Sequence, residues 1–316
     1  MRRLILDTDI DTDCDDAGTI AMLHNLAVAG ECEIAGVVCS APIRDCVGAV
    51  RSINERYGRF DIPVGWVGDA DASEELWAAY QAHRARMIPL NHGTALYNRT
   101  LAATRPNDDP APEDAVRLYR RILSGAHTES ITICAIGTLT ALDRLLASPP
   151  DDISPLSGLE LVSAKVWELV SMGSVTYPAG TETFNWRMDM GSAANVIEQW
   201  PTTVTVSPAG SDVLTGADFV AQAPLDHPVR AAYVGFLGGA GRSRSSWDQI
   251  AALYAVRGLD GPFALSGPRS LVIDRDTGEH LWDANDGDAP VRRMVVPIVA
   301  TDALAALIEK LMIGAG

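Results

Sequence analysis

Residues 3–26 read "RLILDTDIDTDCDDAGTIAMLHNL". Leu4, Ile5 and Leu6 form a short apolar run, and from Asp15 onward the apolar spacing is helical, so the stretch reads as strand, acidic loop and helix. Six aspartates crowd the junction: Asp7, Asp9, Asp11, Asp13, Asp15 and Asp16. A strand feeding a helix in this way opens an α/β unit, and in a sheet of such units ligands collect beyond the carboxyl ends of the strands. The aspartates therefore converge on a crevice. Crowded carboxylates raise one another's pKa unless a cation neutralises them, and an all-oxygen donor set suits Ca²⁺ or Mg²⁺. The stretch predicts a metal site, with one or two aspartates spent on capping the helix and with Asp11 and Asp13 partly solvated. An EF-hand is excluded, because it needs Gly at the sixth loop position and Glu at the twelfth. Counted from Asp7 those positions hold Thr12 and Gly18, and from Asp9 they hold Cys14 and Ile20.

The same alternation continues along the 316-residue chain. Short apolar runs recur as "IAGVVCS" (34–40), "IPVGW" (62–66), "SITICAIG" (130–137), "ELVSMGS" (168–174) and "TTVTVSP" (202–208), each of a length for a buried parallel strand. Helices are predicted over 15–28, 45–57, 113–124, 139–147 and 190–199. Near the C-terminus, "SLVIDRDTGEHLW" (270–282) and "RRMVVPIVA" (292–300) flank turn residues and read as a hairpin or meander, followed by a closing helix over 301–312. The expected fold is an open, mostly parallel, doubly wound α/β sheet with a C-terminal hairpin and closing helix. Residues 105–114 and 148–158 read as surface loops that do not shift composition enough to divide the chain, so 1–316 is expected to form one domain.

Composition narrows the function. With 47% hydrophobic residues the chain is globular, and its net charge of −16, without a Lys/Arg cluster, argues against nucleic-acid binding. Lysine-dependent chemistry has two candidates only, Lys165 and Lys310. Cys14, Cys32, Cys39, Cys46 and Cys134 are odd in number and lack a C-x-x-C spacing, which argues against a disulfide framework and a zinc site. A reducing cytoplasm is expected, with no membrane association, since no apolar run approaches a signal or spanning segment.

Asp-x-Asp after a strand, then a loop, then Asp-Asp-Ala at a helix start resembles the opening motif of the inosine-uridine-preferring nucleoside hydrolases. Here "IDTDC" separates Asp9 from Asp15, a longer loop than the family's usual "DPGIDDA". Further landmarks follow in the family's order: "VVCSAPIRD", "RSINERYGRFDIPVGW", "AIGTLTAL" (135–142), "ELVSMGS" with the downstream "FNWRMD", and "SSWDQIAALYAV". The resemblance spans residues 4 to 256. It implies calcium-dependent hydrolysis of the N-glycosidic bond of a ribonucleoside, and a homodimer or homotetramer.

By that resemblance Asp9, Asp16, the Ile136 carbonyl and Asp248 hold Ca²⁺, where Asp248 viewed alone reads as a helix cap. Asp9 is also the general base toward the attacking water, and Asp15 holds a ribose hydroxyl and stabilises the oxocarbenium-like transition state. Asp7 supports the ligands from behind. Asn185 binds ribose, near Met172; in isolation it reads equally as a turn residue. The family's Glu two residues before this Asn is Thr183 here, with the acid at Glu182, and no second ribose-binding Asn is found. Trp247 stands where many members carry a histidine that protonates the leaving base, and reads either as a stacking platform for a flat base or as an ordinary half-buried aromatic. His92, in "LNHGTALYN", is the histidine best suited to an active-site loop.

Two other functions fit parts of the sequence. "LILDTDIDT" matches a haloacid-dehalogenase-like phosphatase with Asp7 as nucleophile and Mg²⁺ as cofactor, but no suitably placed lysine or acidic pair accompanies it. A calcium-dependent nucleoside- or sugar-binding protein without turnover fits the departures at Thr183 and Trp247.

Overall fold

Leu4, Ile5 and Leu6 are buried on both faces of their strand, which is the reason a continuous apolar run here forms a central parallel strand rather than an alternating edge one. The chain is seen in a computed structural model that describes residues 1–68, 74–90, 96–106, 109–174, 176–284 and 291–314. His92 lies outside them.

The strands in chain order are β1 (Arg2–Thr8), β2 (Cys32–Cys39), β3 (Val64–Trp66), β4 (Glu113–Asp114), β5 (Ile131–Ala135), β6 (Val166–Met172), β7 (Ala179–Thr181), β8 (Thr203–Ser207), β9 (Leu214–Thr215), β10 (Arg244–Ser245), β11 (Phe263–Leu265), β12 (Arg269–Ile273), β13 (Glu279–Ala284) and β14 (Arg292–Pro297). Among the described residues one large sheet runs β4-β3-β2-β1-β5-β6-β8-β14-β12-β13-β7, with β11 also pairing β14, while β9 and β10 form a separate ribbon. From β4 through β14 every neighbouring pair along that order is parallel. The chain first builds outward from β1 to β4 and then returns to the other side of β1 with β5. The order thus reverses between β1 and β5, where an open α/β sheet leaves a crevice at its carboxyl edge.

The helices Asp15–Val28 and Met190–Gln199 occupy the predicted ranges, and Asp45–Arg56, Thr140–Ala147 and Thr301–Ile313 agree within a residue at either end. The helix predicted from 113 begins at Ala115, because Glu113 and Asp114 pair with β3 and the Asp114 carboxylate caps the helix by accepting from the Arg117 N–H. The C-terminal hairpin forms within "SLVIDRDTGEHLW", as β12 and β13. "RRMVVP" forms β14, which pairs antiparallel with β11 and, at Arg269 with Arg292, with β12, and on its other side lies parallel to β8.

The loop at 148–158 is pinned from beneath. Arg120 is 1% exposed, and its guanidinium donates to both Asp151 carboxylate oxygens, to Ser148 Oγ and to the Ser154 and Leu156 carbonyls. Methionine at this position fills similar space but leaves the Leu156 carbonyl and Asp151 Oδ2 without their guanidinium donor. Arg120→Met is expected to lower the melting temperature by about 5 °C; a change within about 1 °C in a thermal melt means that the loop is held by other contacts.

Candidate active site

Two helices start at the same point in space. Asp15 and Asp16 occupy the first turn of Asp15–Val28, and Asp248 is the second residue of the helix Trp247–Arg257. Neither helix has a side-chain N-cap, so these acids are free of the capping role that a local reading offers them. Gly18 permits the approach: a Cβ there would stand 2.4 Å from Tyr233 Oη and 2.7 Å from Gln249 Nε2. One carboxylate oxygen from each of Asp15, Asp16 and Asp248 lies within 4.8 Å of the other two, and each residue is 4% exposed. Burial pushes all three well above the usual carboxylate range, and the surrounding charges, Asp13 and Asp9 among them, push further. Two positive helix ends offset part of that cost. Asp16 also accepts from a neutral donor, Thr8 Oγ1.

The three acids line a cavity of about 510 Å³. Of the residues singled out in the sequence, Asp9, Asp15, Asp16, Ile136, Met172, Thr183, Asn185, Trp247 and Asp248 line it together. Glu182 does not: its carboxylate lies 3.1 Å from His280 Nδ1, both residues being buried behind the cavity wall. Asp7 is fully buried below the floor, where Tyr119 Oη donates to Oδ2 at 2.6 Å. Asp9 stands outside the closest trio, which contains Asp15 in its place. Its Oδ2 accepts from Tyr80 Oη at 2.9 Å, and burial together with the Asp11 and Asp13 charges raises its pKa to about 7. Gly137 keeps this residue in place, since a Cβ there would meet the Asp9 backbone nitrogen at 2.7 Å.

Asp11 is not solvated. It is 3% exposed, pairs with Arg84 at 3.2 Å and accepts from Asn98 Nδ2 at 2.7 Å. Asp13 is partly accessible and pairs with Arg244 through the Nε and Nη2 donors of the guanidinium, whose Cζ lies 4.8 Å from the Trp247 ring centroid and 5.4 Å from that of Phe236. The acidic loop is thus held by cations on both sides. Asn185 donates from Nδ2 to the Ile136 carbonyl at 2.8 Å and contacts Met172 Sδ at 3.2 Å, leaving its own Oδ1 buried without a partner among the described residues.

The helix Glu74–Leu90, absent from the sequence reading, covers one side of the cavity. Tyr80, His83 and Arg84 share one face of it and reach Asp9, Thr12 and Asp11 in turn. Their i, i+3, i+4 spacing was the available signal. His83 is a histidine at the cavity, its Nε2 2.7 Å from Thr12 Oγ1; burial foremost, with the Arg86 charge, lowers its pKa to about 4.

The chemistry of the trio is that of a cation site: three buried oxygen donors, no soft ligand, and pKa values that a bound positive charge reverses. The profile of one protein family, described as inosine-uridine preferring nucleoside hydrolase, matches residues 4–277. No curated protein matches the sequence. Among solved structures, a plant nucleoside hydrolase, PpNRh1, is 18% identical with a TM-score of 0.70, covering 99% of each chain. The inosine-uridine preferring nucleoside hydrolase from Bacillus anthracis is 17% identical with a TM-score of 0.67, again covering 99% of each chain. The type III effector protein XopQ, complexed with adenosine diphosphate ribose, is 17% identical with a TM-score of 0.72, covering 99% of this chain and 93% of that one. At these identities the likeness is one of fold.

Proposed function

The chain belongs to the inosine-uridine preferring nucleoside hydrolase family, and on that footing we propose that it hydrolyses the N-glycosidic bond of a ribonucleoside in a calcium-dependent reaction, releasing free base and ribose. The observation that carries the reading is the buried trio of Asp15, Asp16 and Asp248 on the wall of a nucleoside-sized cavity. With the Ile136 carbonyl and Asp9 on the same wall, these residues would hold Ca²⁺, which supplies charge neutralisation and makes a water at the site more acidic. Asp9, held by Tyr80, accepts the proton of the attacking water. Asp15 faces the ribose and offsets the positive charge that grows on the sugar as the bond breaks. The unpartnered Oδ1 of Asn185 accepts a hydrogen bond from a ribose hydroxyl, which removes the cost of a buried orphan acceptor. Thr183, rather than Glu182, is the loop residue available to the sugar, and Met172 and Trp247 provide apolar wall.

The phosphatase reading has no support, since Asp7 is sealed beneath the cavity and bonded to Tyr119. A calcium-dependent binder without turnover remains a second reading, favoured by Trp247 in the place of an imidazole acid. Release of base and reducing sugar from a panel of purine and pyrimidine nucleosides, with and without a calcium chelator, separates the two. Chelator-sensitive release supports the hydrolase; stabilisation by nucleoside or ribose with no release supports the binder.

Family membership also underlies an expected homodimer or homotetramer. All five cysteines are free and buried. Among the described residues no helix is long and apolar enough to cross a membrane.

A further inference from the structure

Arg244 is the cavity residue whose arrangement is not explained by metal or ribose. It enters from β10, three residues before Trp247, and its guanidinium is fixed on three sides. Asp13 engages its Nε and Nη2 edge, and the rings of Trp247 and Phe236 lie against it at 4.8 and 5.4 Å. Its Nη1 makes no hydrogen bond to any described residue. So held, the group cannot turn to offer its plane to a ligand; it presents a rigid edge made of Nη1 and the second proton of Nη2. That edge fits two adjacent acceptors.

An anionic ligand is a poor match. Asp13 already neutralises the guanidinium, and Asp9, Asp11, Asp15, Asp16 and Asp248 all lie in or beside the same cavity. A neutral acceptor pair suffers no such repulsion, and the Hoogsteen edge of a 6-oxopurine, O6 with N7, is the pair that arginine reads bidentately. We infer that Arg244 engages the leaving base through this edge, so that the site selects 6-oxopurine ribosides and stabilises the departing purine through two fixed hydrogen bonds in place of an imidazole acid. The inference rests on the hydrolase reading above. Hydrolysis breaks C1′–N9 and forms C1′–O from water, and the electron pair of the broken bond passes to the purine, where it spreads toward N7 and O6. One water proton stays on the new C1′ hydroxyl, and the other is taken up at the Asp9 carboxylate and passed on through solvent to the departing purine. Trp247 then serves first as a platform for Arg244.

The test compares inosine, guanosine, adenosine, 7-deazainosine and inosine 5′-monophosphate as substrates, and hypoxanthine and adenine as ligands in thermal shift, for the wild type, Arg244→Met and Arg244→Lys. The wild type is expected to favour inosine and guanosine over adenosine by about 10- to 100-fold in kcat/KM, and to lose about tenfold on 7-deazainosine, which lacks the N7 acceptor. Arg244→Met brings the inosine-to-adenosine ratio to within about threefold, and Arg244→Lys, with its charge but without the fork, restores rate more than selectivity. Equal hydrolysis of inosine and adenosine by the wild type, or a loss in Arg244→Met confined to the 5′-monophosphate, overturns the inference and leaves the hydrolase standing. No release from any nucleoside, with hypoxanthine stabilising the wild type and not Arg244→Met, overturns the hydrolase and keeps the base contact. The 7-deazainosine comparison needs no variant, so a poorly folded Arg244→Met leaves the test intact.

Discussion

Asp16→Ala is expected to lower kcat/KM for the best nucleoside by on the order of a thousandfold or more, because it removes one of three buried carboxylates that converge on one point and with it the proposed calcium site. The accompanying stability change identifies the cause. In chelator, Asp16 is a buried acid surrounded by Asp9, Asp15, Asp13 and Asp248, with Thr8 as its neutral donor. Its removal relieves repulsion, so the metal-free variant melts at or above the wild type. In calcium the order inverts, since the variant has lost a ligand. Asp16→Asn keeps the shape and a partner for Thr8, and is expected to behave alike in both assays. Retained turnover, or a variant less stable than the wild type by the same margin with and without calcium, removes the trio from the mechanism and leaves it a structural cluster.

The second large effect is the dependence of stability on pH and calcium together. Burial foremost raises Asp9 from 3.8 to about 7 and Asp11 to about 6, and raises Asp15, Asp16 and Asp248 well above the ordinary value. A carboxyl whose folded pKa exceeds its unfolded one binds its proton more tightly in the native state, so its contribution is complete below pH 4 and is lost as pH rises through the folded pKa. Stripped of metal, the protein is therefore expected to melt lower at pH 8 than at pH 5. Asp151 works in the opposite sense, but its pKa is held near 2 by Arg120, so its window closes below pH 4. Calcium reverses the slope, because cation binding needs ionised ligands and strengthens as they deprotonate. At a calcium concentration a thousandfold above Kd the gain is about 4 kcal/mol, or about 8 °C for a chain of this size. A metal-free melting temperature that stays flat or rises from pH 5 to 8 contradicts the crowding of charge on which the cation site rests.

Both effects trace to a stretch whose meaning was plain before folding was considered. A strand too apolar to lie at an edge, followed at once by six aspartates and a helix, already calls for a crevice and a cation. The alternation of runs along the chain places β1 in a parallel sheet with the helices 15–28 and 190–199 where they stand. Less was legible where a residue's role depends on a partner far away in sequence. Asp11, in a polar loop, reads as solvated; Arg84 and Asn98, more than seventy positions on, bury it. Glu182 and Thr183 are neighbours with the same claim on the sugar, and His280 on the hairpin decides between them by pairing with the acid. The helix Glu74–Leu90 lacks a clean apolar stripe because the face bearing Tyr80, His83 and Arg84 covers a polar cavity instead of a core.

Local order, strand or helix, acidic or apolar, is written in residues that touch their own neighbours along the chain, and the sequence by itself determined those: the α/β alternation, the acidic loop and the carboxylate chemistry. Tertiary structure alone decided which carboxylates form the trio, since Asp15 and Asp16 meet Asp248 where one helix start packs against another more than two hundred residues away, closely at Gly18. It also decided that β14 lies between β8 and the hairpin strand β12, joining the hairpin to the parallel sheet, and that Asp13 and two aromatic rings hold Arg244 with one donor edge open. Contacts of that range depend on which surfaces become buried together, a property of the packed chain that no short window of residues contains.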